Sequence, residues 1–389
     1  MMRVLTLSTL FPDASRPNFG IFVERQTLGL AARADVGVAV VAPVGLPPFP
    51  LSRLPRHRAL AGLPTKESRS GLNVWRPRFR TLPGTGGRFH APALHRALVP
   101  LLDTLRERFP FDVIDAEFFF PDGPAAIALG RRYGVPVSIK ARGADIHHWG
   151  HAPATTAQVA AAARRADGIL AVSGAMADDI AALGPPRERI AVHRTGVDHQ
   201  RFAAGDGAAR IGRPAAPLIL SVGALIPRKG HHILVDALLR LPTAHLWIAG
   251  EGEDRRRLAA RIAARGLQSR VRLLGAVPHA DLPPLFAAAD VMALASASEG
   301  LANAWVEALA SGTPIVITDV GGARELLANG DAGRIAPRTP KGFAAAIADL
   351  LARPPDAESV RAAAAPYSWQ ANAEALHDHL ARLVRSHRG

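Results

Sequence analysis

Glu299 and Glu307 stand eight positions apart. Gly300 bends the chain after the first, and the second lies in an apolar helical run closed by Ser311-Gly312-Thr313-Pro314. At helical pitch Glu307 shares a face with Asn303, four residues before it. Carboxylates accept hydrogen bonds from hydroxyls, while the amides that open a helix, here those of Gly300, Leu301 and Asn303, favour anions. Upstream, Gly223-Ala224-Leu225-Ile226-Pro227-Arg228-Lys229-Gly230 offers two cations in a tight turn. Arg228 is a planar fork and Lys229 a point charge, both suited to phosphate oxygens, and Gly223 lets backbone come close to a pyrophosphate. Hydroxyl acceptors, amide donors and paired cations together suit a sugar nucleotide.

These groups work only if strands deliver them to one edge. Strand-like runs at residues 218–222 and 290–295 lead into Arg228/Lys229 and into Glu299, and another at 314–318 follows the helix. The alternation extends over the chain, with strands expected at 4–10, 36–44, 112–115, 135–140, 168–172, 190–194, 245–249 and 271–274. Helical runs lie between them at 22–32, 94–108, 123–133, 157–166, 234–240, 255–265 and 302–310. Short apolar strands separated by helices mean parallel sheets covered on both faces, so the fold class is α/β. Such sheets bind ligands at the carboxyl ends of their strands. A chain of 389 residues is too long for one core, and the small, Gly-rich stretch at 203–214 reads as a linker. Two doubly wound, Rossmann-like domains are expected, at 1–204 and 205–367. A last helical run at 369–384 follows Ser368, a plausible N-cap.

Cys is absent, which excludes disulfides, thiolate catalysis and Cys-based zinc or iron–sulfur sites. Met1-Met2-Arg3-Val4-Leu5-Thr6-Leu7-Ser8 reads as a first buried strand and not as a signal peptide. No apolar run approaches the ~18–20 residues that span a bilayer. A cytoplasmic protein, soluble or peripheral on the inner membrane face, is expected. Net charge is +14 and uneven: residues 1–204 carry 26 Lys+Arg against 16 Asp+Glu, net +10, and the remainder 21 against 17, net +4. Residues 53–96 hold ten basic residues and one acid, Glu67, with Trp75, Phe79 and Phe89 interleaved. Two readings stand: a solvated arginine-rich loop region, or a surface for anionic lipid headgroups or an acidic acceptor. No nucleic-acid motif accompanies the charge, and nucleic acid is not an expected partner. His147, His148 and His151 lack a carboxylate partner pattern, so no metal site is expected. His231 and His232, at the head of a helix, read as solvated.

The segment from Glu299 to Glu307 resembles the Glu-x7-Glu signature of retaining glycosyltransferases of the family-4 type. The Arg228-Lys229 turn looks like that family's donor-phosphate loop, and Thr195-Gly196-Val197-Asp198-His199-Gln200-Arg201-Phe202 like its interdomain Gly-Val-Asp-x-x-x-Phe motif. Gly321-Gly322-Ala323-Arg324-Glu325 matches the Gly-Gly-x-x-Glu that follows the signature helix. The resemblance implies a GT-B fold: two Rossmann-like domains across a cleft, the first for the acceptor and completed by a terminal helix at 368–389, the second for the donor. It implies that Arg228 and Lys229 neutralise the donor diphosphate, that Glu307 binds the nucleotide ribose and that Glu299 lies near the donor sugar. Backbone at Val277, in Gly275-Ala276-Val277-Pro278, would meet the nucleobase edge. In the first half, Gly20 is the candidate for close approach in the loop after the first strand. Lys140-Ala141-Arg142-Gly143-Ala144-Asp145 stands where many members have His-Gly-x-Asp. Arg142 replaces that His, which suits a phosphate or acidic acceptor group, and Asp145 suits holding the loop or an acceptor hydroxyl.

The implied activity is transfer of a hexose-type sugar, with retention, from a nucleoside-diphosphate sugar to an acceptor hydroxyl. The acceptor expected is a lipid-linked saccharide of envelope or extracellular polysaccharide assembly. The nucleotide sugar is a co-substrate, and no cofactor or metal is implied. Two other classes share these features: a nucleotide-sugar epimerase of the same layout, whose acid–base carboxylates need a different spacing, and a catalytically silent sugar-nucleotide binding protein.

Overall fold

Sheets of eight, six and two strands are described, and most of the strands are runs of Val, Ile, Leu and Ala three to six residues long. In chain order these are β1 (Met2–Leu7), β2 (Val36–Val41), β3 (Val44–Leu46), β4 (Lys66–Arg69), β5 (Leu72–Trp75), β6 (Arg78–Arg80), β7 (Val113–Ala116) and β8 (Val137–Ala141). There follow β9 (Gly168–Ala171), β10 (Ile190–Val192), β11 (Leu218–Val222), β12 (His245–Ala249), β13 (Val271–Gly275), β14 (Val291–Leu294), β15 (Ile315–Ile317) and β16 (Gly333–Ile335). The computed structural model describes residues 1–203, 212–328 and 330–389. Most of the expected linker therefore lies outside the described residues. The chain divides into two units, Met1–Gly196 with Trp369–Gly389, and Val197–Ser368.

In the first unit the sheet order is β10-β9-β8-β7-β1-β2-β5-β4, all parallel except the β4/β5 hairpin. The strand order reverses between β1 and β7, registered Val4 to Val113 and Leu7 to Ala116. The terminal helix Trp369–Arg388 belongs to this unit, and its Leu376, Leu380 and Val384 share a core with Val4, Leu30, Val113 and Leu170. A buried polar chain also ties it down. Lys140 Nζ donates to His193 Nδ1 at 2.6 Å, His193 Nε2 donates to the Asn372 carbonyl at 2.8 Å, and Asn372 Nδ2 donates to the Arg194 carbonyl at 2.6 Å.

In the second unit the sheet order is β13-β12-β11-β14-β15-β16, all parallel, with the reversal between β11 and β14. Strands β11 and β12 coincide with the runs expected at 218–222 and 245–249. The helix His199–Ala203 groups with this unit, because Phe202 packs on Phe286 with ring centroids 6.0 Å apart.

Two expectations need correction. The run at 36–44 is two strands, divided at Ala42-Pro43 where proline has no N–H to give a ladder. The basic segment at 53–96 is not a loop: it holds the helix Pro55–Ala61, the β4/β5 hairpin turning on Ser70-Gly71, and β6. Arg76 is 1% exposed, pairs with Glu67 and donates to the Pro12 carbonyl at 2.6 Å, and Phe79 is buried. Large apolar side chains that face outward in this segment and just before it include Phe49, Leu51, Leu54, Leu82 and Phe89.

Candidate active site

The loops leaving β11 and β14 lie side by side at the strand-order reversal, where an open parallel sheet binds ligands. Their backbones are stitched: the Ala297 amide donates to the Arg228 carbonyl at 2.8 Å. The first loop forms a turn at Pro227–Lys229 that carries both cations. Lys229 Nζ donates to Glu299 Oε1 at 2.5 Å, which also accepts from Ser296 Oγ at 2.6 Å. Arg228 reaches Glu299 Oε2 at 3.4 Å and donates to the Ser298 carbonyl at 2.5 Å. Burial pushes the Glu299 carboxyl up, but Lys229 and then Arg228 hold it below the usual glutamate value. Glu299 is thus an ionised counter-charge that aligns two cations. Arg228 remains about one-third exposed, with its fork available to an entering anion.

Residues distant in sequence fix this cluster. Arg338, after β16, donates from Nε to the Ala295 carbonyl at 2.9 Å and from Nη2 to the Pro227 carbonyl at 3.4 Å, clamping both loops. The Gly322 amide donates to the Gly300 carbonyl at 2.8 Å, and a Cβ on Gly321 would fall 2.3 Å from the Glu299 carbonyl oxygen. The Gly-Gly motif therefore lets one backbone press against another. Behind the cations, His231 is buried, accepting from Ser221 Oγ at 3.1 Å and donating to the Ala224 carbonyl at 3.2 Å. Burial lowers it to about 4. The expectation of a solvated His231 is corrected: it is a neutral support beneath the loop.

Gly300, Leu301 and Ala302 bend the chain into the helix Asn303–Ala310, and Ala302 at its N-cap has no side-chain acceptor for the first amides. One turn on, Glu307 Oε1 accepts from His279 Nε2 at 2.7 Å. His279 follows Val277 and Pro278 in the loop after β13, so the region of Val277 and the Glu307 carboxylate are joined at this edge. Gly223 lies against the Lys229 stem, where an added Cβ would touch Cδ at 3.6 Å.

The first-unit candidates form a cluster of their own. Gly20 caps the helix Ile21–Ala31 with φ 70°, and a Cβ there would fall 1.6 Å from the Leu10 carbonyl oxygen. Only glycine fits, and the close approach it serves is to its own loop. Arg142 is buried against Glu117, with its guanidinium 4.8 Å from the Phe22 ring centroid. Asp145 is fully buried and accepts from the amides of Phe119 at 2.9 Å and Gly143 at 2.7 Å, and of Arg142 at 3.0 Å. Burial pushes its carboxyl up despite these donors. Around the pair lie Gln26, Lys140 and Asp115. Burial and then Glu117 drive Asp115 well above the usual range, whereas burial and then Arg142 drive Lys140 well below it. Glu117 stands directly after β7 at the strand-order reversal, and its sequence signal is its place just after an apolar strand-like run. Asp122, held by the Thr9 amide at 2.8 Å, is raised by burial to about 8. His147 pairs with Asp179 at 2.9 Å, and among the described residues no group of three or more His, Asp or Glu could hold a metal ion.

Residues 22–201 match Glycosyltransferase Family 4 and residues 211–366 match Glycosyl transferases group 1. The lipopolysaccharide core biosynthesis glycosyltransferase LpsE of Rhizobium meliloti is 35% identical over 192 residues, which is 49% of this chain and 55% of that protein. The glycogen synthase of Mycobacterium tuberculosis is 34% identical over 281 residues, covering 68% of this chain and 67% of that one. Among solved structures, Anabaena HepE in complex with UDP-glucose superposes with a TM-score of 0.70 over 99% of this chain and 100% of that one, at 22% identity. The two doubly wound units are those of the GT-B fold. With both halves matched in order and a 34% identical relative covered over two thirds of its length, the chain belongs to the group 1, family 4 glycosyltransferases.

Proposed function

We propose that this glycosyltransferase moves a hexose-type sugar, with retention, from a nucleoside-diphosphate sugar held by the second unit to an acceptor hydroxyl served by the first. The observation that carries the reading is the Arg228–Lys229–Glu299 cluster at the β11/β14 reversal. The C1–oxygen bond to the diphosphate breaks and its electron pair stays on the phosphate oxygen. The acceptor oxygen bonds to C1 on the same face and gives its proton to that departing oxygen. Negative charge grows on the leaving group, and Arg228 and Lys229, already oriented by Glu299, stabilise it where it develops. These two side chains supply the cations, so the reaction needs neither metal nor cofactor. Glu307 and the amides of Gly300, Leu301 and Asn303 hold ribose, sugar and phosphate, Val277 backbone meets the base, and Gly223 admits the pyrophosphate.

The acceptor proposed is a lipid-linked saccharide of envelope or extracellular polysaccharide assembly, as the likeness to LpsE suggests. Peripheral contact with an anionic membrane fits the surface at the end of β3 and β6. Those strands pair in parallel, Leu46 beside Arg80, so the segments that follow them start together. They carry the exposed Phe49, Leu51 and Leu54 and the exposed Leu82 and Phe89, with Arg53 over Phe49 at 5.0 Å and Arg88 over Phe89 at 5.7 Å. Among the described residues no helix is long and apolar enough to cross a membrane.

The testing experiment offers UDP-, GDP- and ADP-sugars with and without acceptor extracts and follows donor loss and the product's anomeric configuration. Retained configuration, in product that needs the acceptor, supports the reading. Inversion, or donor binding without turnover, would sink it.

A further inference from the structure

Glu307 is aimed by a residue that no motif marks. A glutamate on a helix surface has three rotatable side-chain bonds, and holding it in one rotamer costs entropy that a ligand must otherwise supply. Here His279 Nε2 donates to Oε1 at 2.7 Å from across the loop after β13. His279 holds Oε1, and the second oxygen of a carboxylate, Oε2, can accept from a ligand hydroxyl. Both groups are largely buried, with side chains 11% and 12% exposed, so solvent does not compete strongly for the bond.

His279 is itself held from behind. It opens the turn His279–Asp281 after Pro278, whose ring limits the backbone. Its imidazole meets the Phe202 ring edge-on, centroids 5.8 Å apart and planes at 68°. Phe202 is 1% exposed and sits between His279 and Phe286. It comes from the helix His199–Ala203, whose start is fixed by Asp198 Oδ1 accepting from the Arg201 amide at 3.1 Å. The segment Asp198 to Phe202 thus reaches Glu307 through one aromatic contact and one hydrogen bond.

We propose that His279 is a positioning residue that sets Glu307 to read the ribose hydroxyls of the donor nucleotide, with Phe202 as its backstop. This rests on the nucleotide reading of the site. The carboxylate acceptor selects the Nε2–H tautomer of a neutral imidazole, and the charged ring also donates from Nε2, so it is the donor at that point that matters.

The test measures binding and turnover with UDP, GDP and ADP and their sugars beside the 2′-deoxy counterparts, in wild type, His279→Ala, His279→Phe and His279→Gln. Wild type should prefer the ribose form by about tenfold or more, the scale of one lost hydrogen bond to a charged group. His279→Ala, and His279→Phe, which keeps a ring against Phe202, should cut that preference to about twofold or less. They should raise the donor KM about tenfold with kcat little changed, because binding is lost equally in ground and transition states. His279→Gln, which returns a donor without a ring, should restore most of the preference. A wild-type ribose preference that survives in both His279→Ala and His279→Phe overturns the inference and leaves the role of Glu307 standing. A wild type blind to the 2′-hydroxyl overturns both.

Discussion

Both sheets gather charged side chains where their strand order reverses, and the two gatherings are finished differently. At β11/β14 two cations face one carboxylate, and Arg228 stays about one-third exposed. At the β1/β7 end Glu117 and Lys140 are fully buried, and Arg142 nearly so at 7%. Lys140 is consumed by Gln26 and His193, and Arg142 by Glu117 and Gln26. One topology therefore serves two ends. Where charges keep access to solvent a ligand can use them, and where they are sealed the fold uses them to fix its own loops.

The largest effect should come from breaking the sealed cluster. Arg142→Ala takes the guanidinium partner from the buried Glu117, leaving it the Gln26 amide, which costs about 3–5 kcal/mol. Unfolding of the first unit should move down by roughly 10 °C, read by calorimetry. An Arg142→Ala protein that melts like wild type but has lost turnover would show that this cluster too is held for substrate.

The open cluster should respond mainly in turnover. Arg228→Ala with Lys229→Ala leaves the buried Glu299 carboxylate its Ser296 donor without either cation, so melting should fall as well. Turnover should fall by about 10²-fold or more, about 2.7 kcal/mol or more of transition-state stabilisation. Wild-type-like turnover in that double variant would break the donor-site reading.

Acid should separate the units. A histidine lowered from 6.5 to about 4 by burial, His231 in the second unit or His379 in the first, binds fewer protons folded than unfolded. Its stability is complete above pH 6.5 and is lost as pH falls toward 4, about 2 kcal/mol by pH 5. Asp122, raised from 3.8 to about 8, works against this in the first unit, because a carboxyl held protonated favours folding increasingly as pH falls toward 4. Hydrogen exchange at pH 7 and pH 5 should show β11 and β12 amides losing protection while β1 and β7 amides change less. Equal losses would mean that the buried carboxyls raised in the first unit, Asp122, Asp115 and Asp145, do not carry the protons that offset its lowered histidines, His379 and His193.

The smallest expected effect is none. Excess EDTA should leave turnover unchanged, since the leaving-group cations are side chains. Loss on chelation with recovery on Mg²⁺ or Mn²⁺ would reassign that work to a metal.

Local pattern made the second unit legible. Strands β11, β12 and β14 announce themselves as apolar runs, and the residues just after them land at the reversal, so Arg228, Lys229 and Glu299 are found by position. What stayed hidden depends on contacts between distant residues. Arg338 clamps a loop 111 residues away, and the partners His279 and Glu307 are 28 apart. The sealed cluster was hidden for another reason: Lys140, Glu117 and Arg76 are residue types that normally stay in water, and only tertiary packing reveals them as buried. The β4/β5 hairpin escaped because Lys66-Glu67-Ser68-Arg69 has no apolar alternation to show.

The return of Trp369–Arg388 to the first core also orders the making of the protein. A ribosome releases Met1–Gly196 early, but that unit still lacks Leu376, Leu380 and Val384 and the Asn372 partner of His193. The second unit, contiguous from Val197 to Ser368, has its described strands before Trp369–Arg388 is made. Domains generally fold as units during translation, so the half begun first is the half completed last.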